Sequence, residues 1–409
     1  MRKSVNCISA LLCLISLVSV VEGQENPTSA EDSTQRMSQV LYILPALGYT
    51  PETNLTVGGV GSYFFDLIEE DTLTPVSNLN FFAIYSLNGQ LLLQTRWKAY
   101  AGQSRWRFQG LLGYYRYPDR NYGIGNDAGA QIVHVDNEEH DTLNYLNYEA
   151  TLITFAPSFL RQVLPNLYIG LAFNLEEVSQ LRVLGGTHQF LDNDSHLVQS
   201  VPIAGLRSGL GFQLLFDNRD YLLNPLKGHF IQFDNFYFSR LLGSDFQYSA
   251  LNLDARKYVN TFKNHSFAIR VVGSARFTKD EIPIGALSRV GGYRFLRGYF
   301  RGTFQDHHMI GYEVEYRLPL WKEGTDDELW KFWKRLGVAA FFGGGQVFSS
   351  LPEVGLPHFN LAVGAGLGFL IDSQSRANLR IDFATGLSRG PVGFNKRQRG
   401  FYFHFGEAF

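Results

Sequence analysis

Hydrophobic and polar residues alternate with a period of two through most of the chain. Leu251, Leu253 and Ala255 alternate with Asn252, Asp254 and Arg256, and Phe267, Ile269 and Val271 alternate with Ala268 and Arg270. Tyr312, Val314, Tyr316 and Leu318 alternate with Glu313, Glu315 and Arg317, and Leu379, Ile381 and Phe383 with Arg380 and Asp382. Successive side chains of a strand point to opposite faces, so each of these segments has one apolar face and one charged face. A basic side chain in the middle of a bilayer costs roughly 2–4 kcal/mol, so the charged faces are expected to line a wet interior and the apolar faces to meet lipid. The chain closes on the same rhythm: Phe401, Phe403 and Phe405 alternate with Tyr402, His404 and Gly406, and the last residue is Phe409.

Counting such segments back from the C-terminus predicts strands near 39–48, 55–68, 77–86, 90–100, 105–116, 143–155, 165–177, 205–217, 228–240, 246–259, 264–277, 308–320, 335–347, 359–371, 376–386 and 400–409. The fold class read from the sequence is all-β, a transmembrane antiparallel β-barrel of about 16 strands. An even count puts both ends of the barrel on one side. The connections near 117–142, 177–204, 278–306 and 388–399 then share the outer side, and the tight turns share the inner side, with Asp372–Ser375 expected to be the shortest.

The first residues behave differently. Arg2 and Lys3 precede an apolar run from Val5 to Val21, and Val21, Glu22 and Gly23 end it with a small residue at a cleavable position, so residues 1–23 read as an export signal. The run is too short and Ser-broken for a spanning helix. Residues 24–37 are polar and read as a disordered periplasmic leader, leaving 38–409 as the barrel. Both cysteines, Cys7 and Cys13, fall inside the signal, so no disulfide or Cys-based metal site is expected in the mature protein. Aromatic residues make up 15% and charged residues 18%, a balance that suits strands wetted on one face only. A formal net charge of -2 gives no basic footprint, so nucleic acid is not an expected partner.

Two motifs carry more specific information. Asp217, Arg219, Asp220, Pro225 and Gly228 stand in FDNRDYLLNPLKGHF, and Arg297, Gly298 and Tyr299 stand in GGYRFLRGYFRG within the long connection 278–306. With GYTPETNLTVGG at 48–59, NYGIGND at 121–127, NLRIDFATG at 378–386 and the terminal FYFHFGEAF, the chain resembles the BamA/TamA superfamily, the bacterial surface antigen family, over roughly residues 40–409. The resemblance implies that the first motif is a periplasmic turn, that the second tips an extracellular loop folded back into the lumen, and that Phe401, Phe403, Phe405 and Phe409 form a C-terminal assembly signal. A lumenal Arg297 needs carboxylate partners. Glu315 is the first choice, with Glu313 and Asp382 as alternatives. The family commonly has Phe-x-Asp-x-Gly on the strand after next, whereas Phe341, Phe342, Gly343, Gly344 and Gly345 put glycine at the Asp position. A second departure is that only the leader lies upstream, where family members that insert barrels carry POTRA repeats.

Other chemistry finds little support. The glycines at 123 and 125 and at 364, 366 and 368 do not open a helix after a strand as a phosphate loop would, and they read as relief of crowding in a curved sheet. His307 and His308 point to opposite faces of a strand, and no spacing gathers a metal site, a catalytic set or a cofactor cradle. Thr325–Glu328 reads as a capping box opening a short helix with Leu329, Trp330, Phe332 and Trp333. The expected function is therefore non-enzymatic and without a cofactor, at the outer membrane of a Gram-negative bacterium in contact with its lipid. One reading is insertion or translocation of proteins or lipids through a seam between the first and last strands, with client outer-membrane proteins or a separate periplasmic protein as partners. The other readings are a passive channel and an adhesin displayed through the outer loops.

Overall fold

The computed structural model describes residues 19–21, 39–50, 54–68, 74–126, 132–134, 146–183, 188–191, 197–198, 204–262, 265–320, 335–372, 376–388 and 397–405. Its main sheet holds 17 strands, of which Ser19–Val21, within the residues read as the export signal, only adds to one edge at Leu41–Ile43; the other 16 form the barrel. They are β1 Val40–Thr50, β2 Asn54–Phe65, β3 Ser77–Ser86, β4 Leu91–Ala101, β5 Trp106–Asn121, β6 Leu146–Leu164, β7 Leu167–Val183 and β8 Gly205–Asp217. β9 Gly228–Phe238, β10 Tyr248–Asn260, β11 Ser266–Phe277, β12 His308–Pro319, β13 Leu336–Phe348, β14 Asn360–Asp372, β15 Ala377–Gly386 and β16 Arg399–Phe405 complete it. Every strand pairs antiparallel with its neighbour in sequence, and β16 meets β1 at Tyr49↔Phe403 to close the ring.

Away from the seam between β1 and β16 each strand is paired on both edges, and the residue period then decides which side chains meet which solvent. Leu112, Phe159, Leu171, Leu210, Leu253, Leu367 and Phe383 all point outward and exposed, a continuous apolar band around the barrel. The intervening positions are polar and enclosed. Gln109 Nε2 donates to Gln213 Oε1 (3.0 Å) across the lumen wall, and Gln213 Nε2 donates to Asp234 Oδ1 (2.6 Å). Among the described residues no helix is long and apolar enough to cross a membrane; the crossing is made by strands.

The strands agree with the sequence reading in number and order, but three run longer. β5, β6 and β7 extend to Asn121, Leu164 and Val183. β6 continues through Pro157, and its ladder to β7 omits residues 156 and 157, as a residue without an N–H requires. At 19 residues β6 is roughly 60 Å long at about 3.3 Å per residue, far more than the ~25 Å apolar band, so much of it carries no lipid-facing alternation to read. Residues 373–375, in the turn expected to be the shortest, lie outside the described residues. Only Pro165 and Asn166 separate β6 from β7, with Asn166 in the left-handed region (φ 63°). The capping-box segment 325–333 lies outside the described residues.

The long connection between β11 and β12 is the main body inside the ring. Ser288–Val290 and Phe304–Asp306 pair as a short hairpin, and Val290, Phe295, Leu296, Tyr299 and Phe304 pack against Val272, Val347 and Ala362 of the wall. The NYGIGN segment holds this body in place. Gln305 Nε2 donates to Asn121 Oδ1 (2.5 Å) and to the Gly123 carbonyl (3.0 Å), while the Gly125 N–H donates to the Gln305 carbonyl (2.8 Å). Asn126 exchanges two hydrogen bonds with the Val347 backbone at the end of β13 (2.7 and 3.1 Å).

The outward band predicts a simple asymmetry. Leu367 is 57% exposed at the middle of β14. Leu367→Arg is expected to lower the stability of the barrel in phospholipid vesicles by roughly 2–4 kcal/mol, whereas Leu367→Phe changes it little. Urea titration, followed by loss of the heat-modifiable electrophoretic species, measures the difference.

Candidate functional site

Period-two alternation puts Glu313, Glu315 and Arg317 of β12, Phe341 and Gly343 of β13 and Arg380 and Asp382 of β15 on the inner face. The register sets Glu315 opposite Phe341, Glu313 opposite Gly343, and Asp382 opposite both Gly366 and Tyr402. A Cβ at Gly366 would lie 2.0 Å from Asp382 Oδ1, so the carboxylate occupies the space that glycine leaves.

Arg297 enters this wall from the loop and is 1% exposed. Its Nη2 donates to Glu315 Oε2 (2.8 Å), its Nη1 donates to Asp382 Oδ2, and its guanidinium lies 3.6 Å from the Phe341 ring centroid. Glu315 also accepts from Arg317 Nε (2.7 Å) and from Arg380 Nη1 (2.6 Å) and Nη2 (2.8 Å), and Asp382 accepts from Arg380 Nε (2.6 Å). Three guanidiniums thus share two carboxylates, neither exposed at all. Such a cluster survives burial only because every charge has several directed partners.

The structure therefore gives Arg297 two carboxylates at once, Glu315 and Asp382. Glu313 serves another group: its Oε1 accepts from the Leu296 N–H (3.0 Å), and Arg270 lies 3.7 Å away. A side chain at position 343 would not fit. A Cβ there would sit 2.8 Å from the Tyr312 carbonyl oxygen and 2.9 Å from Glu313 Cγ. Gly298 has φ 110°, its N–H donates to Tyr402 Oη (3.2 Å), and a Cβ would lie 2.7 Å from the Thr385 carbonyl carbon. Tyr299 is fully buried; its hydroxyl donates to the Leu361 carbonyl (2.9 Å) and accepts from the Ser388 N–H (3.1 Å). Arg317, Arg380, Phe341 and Tyr402 escaped the sequence reading as members of this cluster. The available signal was the opposite charge at i and i+2, Glu315 with Arg317 and Arg380 with Asp382, which shares a strand face.

The turn between β8 and β9 is braced chiefly by its own side chains. Arg219 Nε and Nη2 grip the two oxygens of Asp217 (2.8 Å each), and the guanidinium stacks 4.6 Å from the Phe230 ring centroid. Asp220 Oδ1 accepts from the N–H groups of Tyr221 (3.0 Å), Leu226 (3.0 Å) and Lys227 (3.2 Å). Gly228 takes φ 112°, where a Cβ would lie 2.6 Å from the Asn218 carbonyl oxygen. The Pro225 carbonyl accepts from Ser266 Oγ (3.3 Å) and, at 3.5 Å, from Arg317 Nη1. Arg317 thereby joins the turn to the cluster around Glu315.

Among the described residues the seam between β1 and β16 is the join of the ring with the fewest pairs. Among the described residues it consists of the single pair Tyr49↔Phe403, whereas β15 and β16 pair over seven residues. Phe401 is 43% exposed and meets Tyr49 edge-on at 5.7 Å between centroids. Phe405 ends β16, and its side chain and all of Phe409 lie outside the described residues. Among those residues no group of His, Cys, Asp and Glu could hold a metal ion.

An Omp85 superfamily domain matches residues 86–409, most of the chain and all of the clustered lumen residues. The chain belongs to the Omp85 superfamily. No curated protein matches it. Similar solved structures share the Omp85 barrel at low identity. BamA from Haemophilus ducreyi lacking POTRA domains 1-3 aligns with TM-score 0.57 and 12% identity over 97% of this chain and 77% of that one. CdiB from Acinetobacter baumannii (TM-score 0.55, 12% identity) and CdiB from Escherichia coli (TM-score 0.58, 10% identity) each align over 95% of this chain. This chain spans 65% and 66% of those two CdiB chains. As an Omp85 barrel it is an outer-membrane β-barrel.

Two substitutions test the anchoring role of the loop motif. Arg297→Ala removes one charged partner from each of two fully buried carboxylates, leaving Glu315 with Arg317 and Arg380 and Asp382 with Arg380, and is expected to destabilise the barrel by roughly 2–4 kcal/mol, and Arg297→Lys, with a point charge in place of the fork, by a smaller amount. Gly298→Ala is expected to release the loop, because both the backbone conformation and the contact with β15 reject a methyl group. Urea midpoints and protease sensitivity within residues 291–303 read both effects.

Proposed function

We propose that the protein is an outer-membrane assembly barrel that inserts or translocates proteins, or lipids, by opening the seam between β1 and β16. The observation that carries this reading is the seam itself: one described residue pair closes a ring whose other joins each span seven pairs or more. Opening there breaks few backbone hydrogen bonds and exposes the N–H and C=O edges of β1 and β16, to which an incoming strand can add. The cluster around Arg297 supports the reading too, since it holds β12, β13 and β15 and the loop together while the seam parts. Client outer-membrane proteins are the proposed substrates, a separate periplasmic protein the proposed partner, and the outer membrane of a Gram-negative bacterium the proposed site.

Locking the seam tests the mechanism. Paired Cα atoms of adjacent strands lie about 4.5–5.5 Å apart, within disulfide range. Tyr49→Cys with Phe403→Cys is expected to abolish insertion of a client barrel into vesicles under oxidising conditions and to recover it on reduction. Full activity of the oxidised double variant would overturn the seam mechanism and leave the passive channel as the better account.

The proposed topology has its own test. Leu223 lies in the turn between β8 and β9, and Leu241 lies 96% exposed in the opposite rim's hairpin between β9 and β10. In intact cells an impermeant thiol reagent is expected to label Leu241→Cys and to spare Leu223→Cys until the outer membrane is permeabilised. Labelling of Leu223→Cys in intact cells would reverse the assignment.

A further inference from the structure

Proline cannot donate to a sheet ladder, and within sheets it is confined to edges where its nitrogen faces no partner. β1 contains Pro45 in the middle of an unbroken run of pairs with β2, from Val40↔Phe64 to Thr50↔Asn54. Which neighbour misses its N–H follows from the register. In antiparallel strands the N–H and C=O of one residue point to the same neighbour, and those of the next residue point to the other. The Leu87 N–H donates to the Leu55 carbonyl (2.9 Å), so Leu55 of β2 bonds toward β3. Gly59, four residues on in the same unbroken register, bonds the same way. Tyr49 stands opposite Leu55 and Pro45 opposite Gly59, so the backbone groups of both turn away from β2 and toward the seam. The donor that proline lacks is a seam donor.

β16 is oriented to match. The Gly386 N–H donates to the Gln398 carbonyl (3.0 Å), so even positions of β16 bond toward β15 and the backbone groups of Phe401, Phe403 and Phe405 turn to β1. In the register of Tyr49↔Phe403, Leu47 falls opposite Phe405, and Pro45 falls opposite the residue two beyond it. Leu47 and Phe405 are both in strand with their backbone groups turned to the seam, yet among the described residues only Tyr49↔Phe403 is paired. Further along, at Leu41–Ile43, the same edge of β1 is taken by Ser19–Val21 and not by β16. A pair at Leu47 would be followed by a ring carbon where the next hydrogen bond needs a donor, so the ladder stops one step early.

We infer that Pro45 is the positioning residue of the seam: by withholding its donor it stops β16 from zipping along β1, and it leaves the edge at Leu41–Ile43 open to another strand. The limit on the seam is a property of the backbone alone, whereas its use in admitting a client strand rests on the assembly function proposed above.

Amide exchange at Phe405 in the full chain, reconstituted in phosphatidylcholine vesicles, tests the limit, and insertion of a client barrel into the same vesicles tests its use. In the wild type the Phe405 amide is expected to exchange roughly tenfold or more faster than that of Phe403. Pro45 is exposed on the outward face, and its missing donor is not part of the ladder to β2, so Pro45→Ala and Pro45→Val are expected to leave the barrel folded, as heat-modifiable migration checks. Each is expected to slow Phe405 to the rate of Phe403 and to slow insertion roughly tenfold. Pro45→Ala combined with Leu47→Pro, which withholds a donor from the same edge one step away, is expected to restore both wild-type rates. A Phe405 amide as slow as Phe403 in the wild type, or unchanged in both single variants, would overturn the proposal. Slowed exchange with unaltered insertion would uphold the limit on the seam and overturn the assembly function instead.

Discussion

Three guanidiniums sharing two carboxylates inside the ring are the constraint on which the rest of the interior depends. Glu315 and Asp382 are wholly buried, and each is satisfied only when Arg297 from the loop joins Arg380 from the wall. The loop is therefore held by charge neutralisation as well as by its small apolar core. Removing Arg297 takes one directed partner from each buried carboxylate, and removing a carboxylate leaves buried guanidiniums in excess, either of which costs more than the pair's own net worth. From Glu315 the chain of contacts continues through Arg317 to the Pro225 carbonyl, so the inner turn and the loop report to one carboxylate.

That rigidity is uneven around the ring. β12 to β15 are cross-linked on their inner face, and the glycines at 343 and 366 let those side chains approach. β1 and β16 share one described pair and no charged contact among the described residues. An Omp85 barrel built this way has a stiff half and a weak join next to it.

The barrel was highly legible because lipid on one side and water on the other impose a two-residue period, visible at Leu379 to Phe383 and at Tyr312 to Leu318. Strand ends were legible only where that period stops at the membrane edge. β5, β6 and β7 run past it, and β6 continues through Pro157 with a short omitted stretch of its ladder to β7. In the cluster, the sequence named Glu315 first and offered Asp382 separately, because motif reading looks for one partner per charge. Burial demands several partners, and it recruited Arg380 and Phe341, residues that stand in quoted motifs but that no motif assigns to Arg297.

Amide hydrogen exchange across residues 291–303 in the membrane-embedded wild-type protein tests the central claim most directly. The Leu296 N–H donates to Glu313 and the Gly298 N–H to Tyr402, both buried. If the charge cluster anchors the loop, these amides exchange as slowly as those of β12. Exchange at the rate of an unprotected surface loop would contradict it.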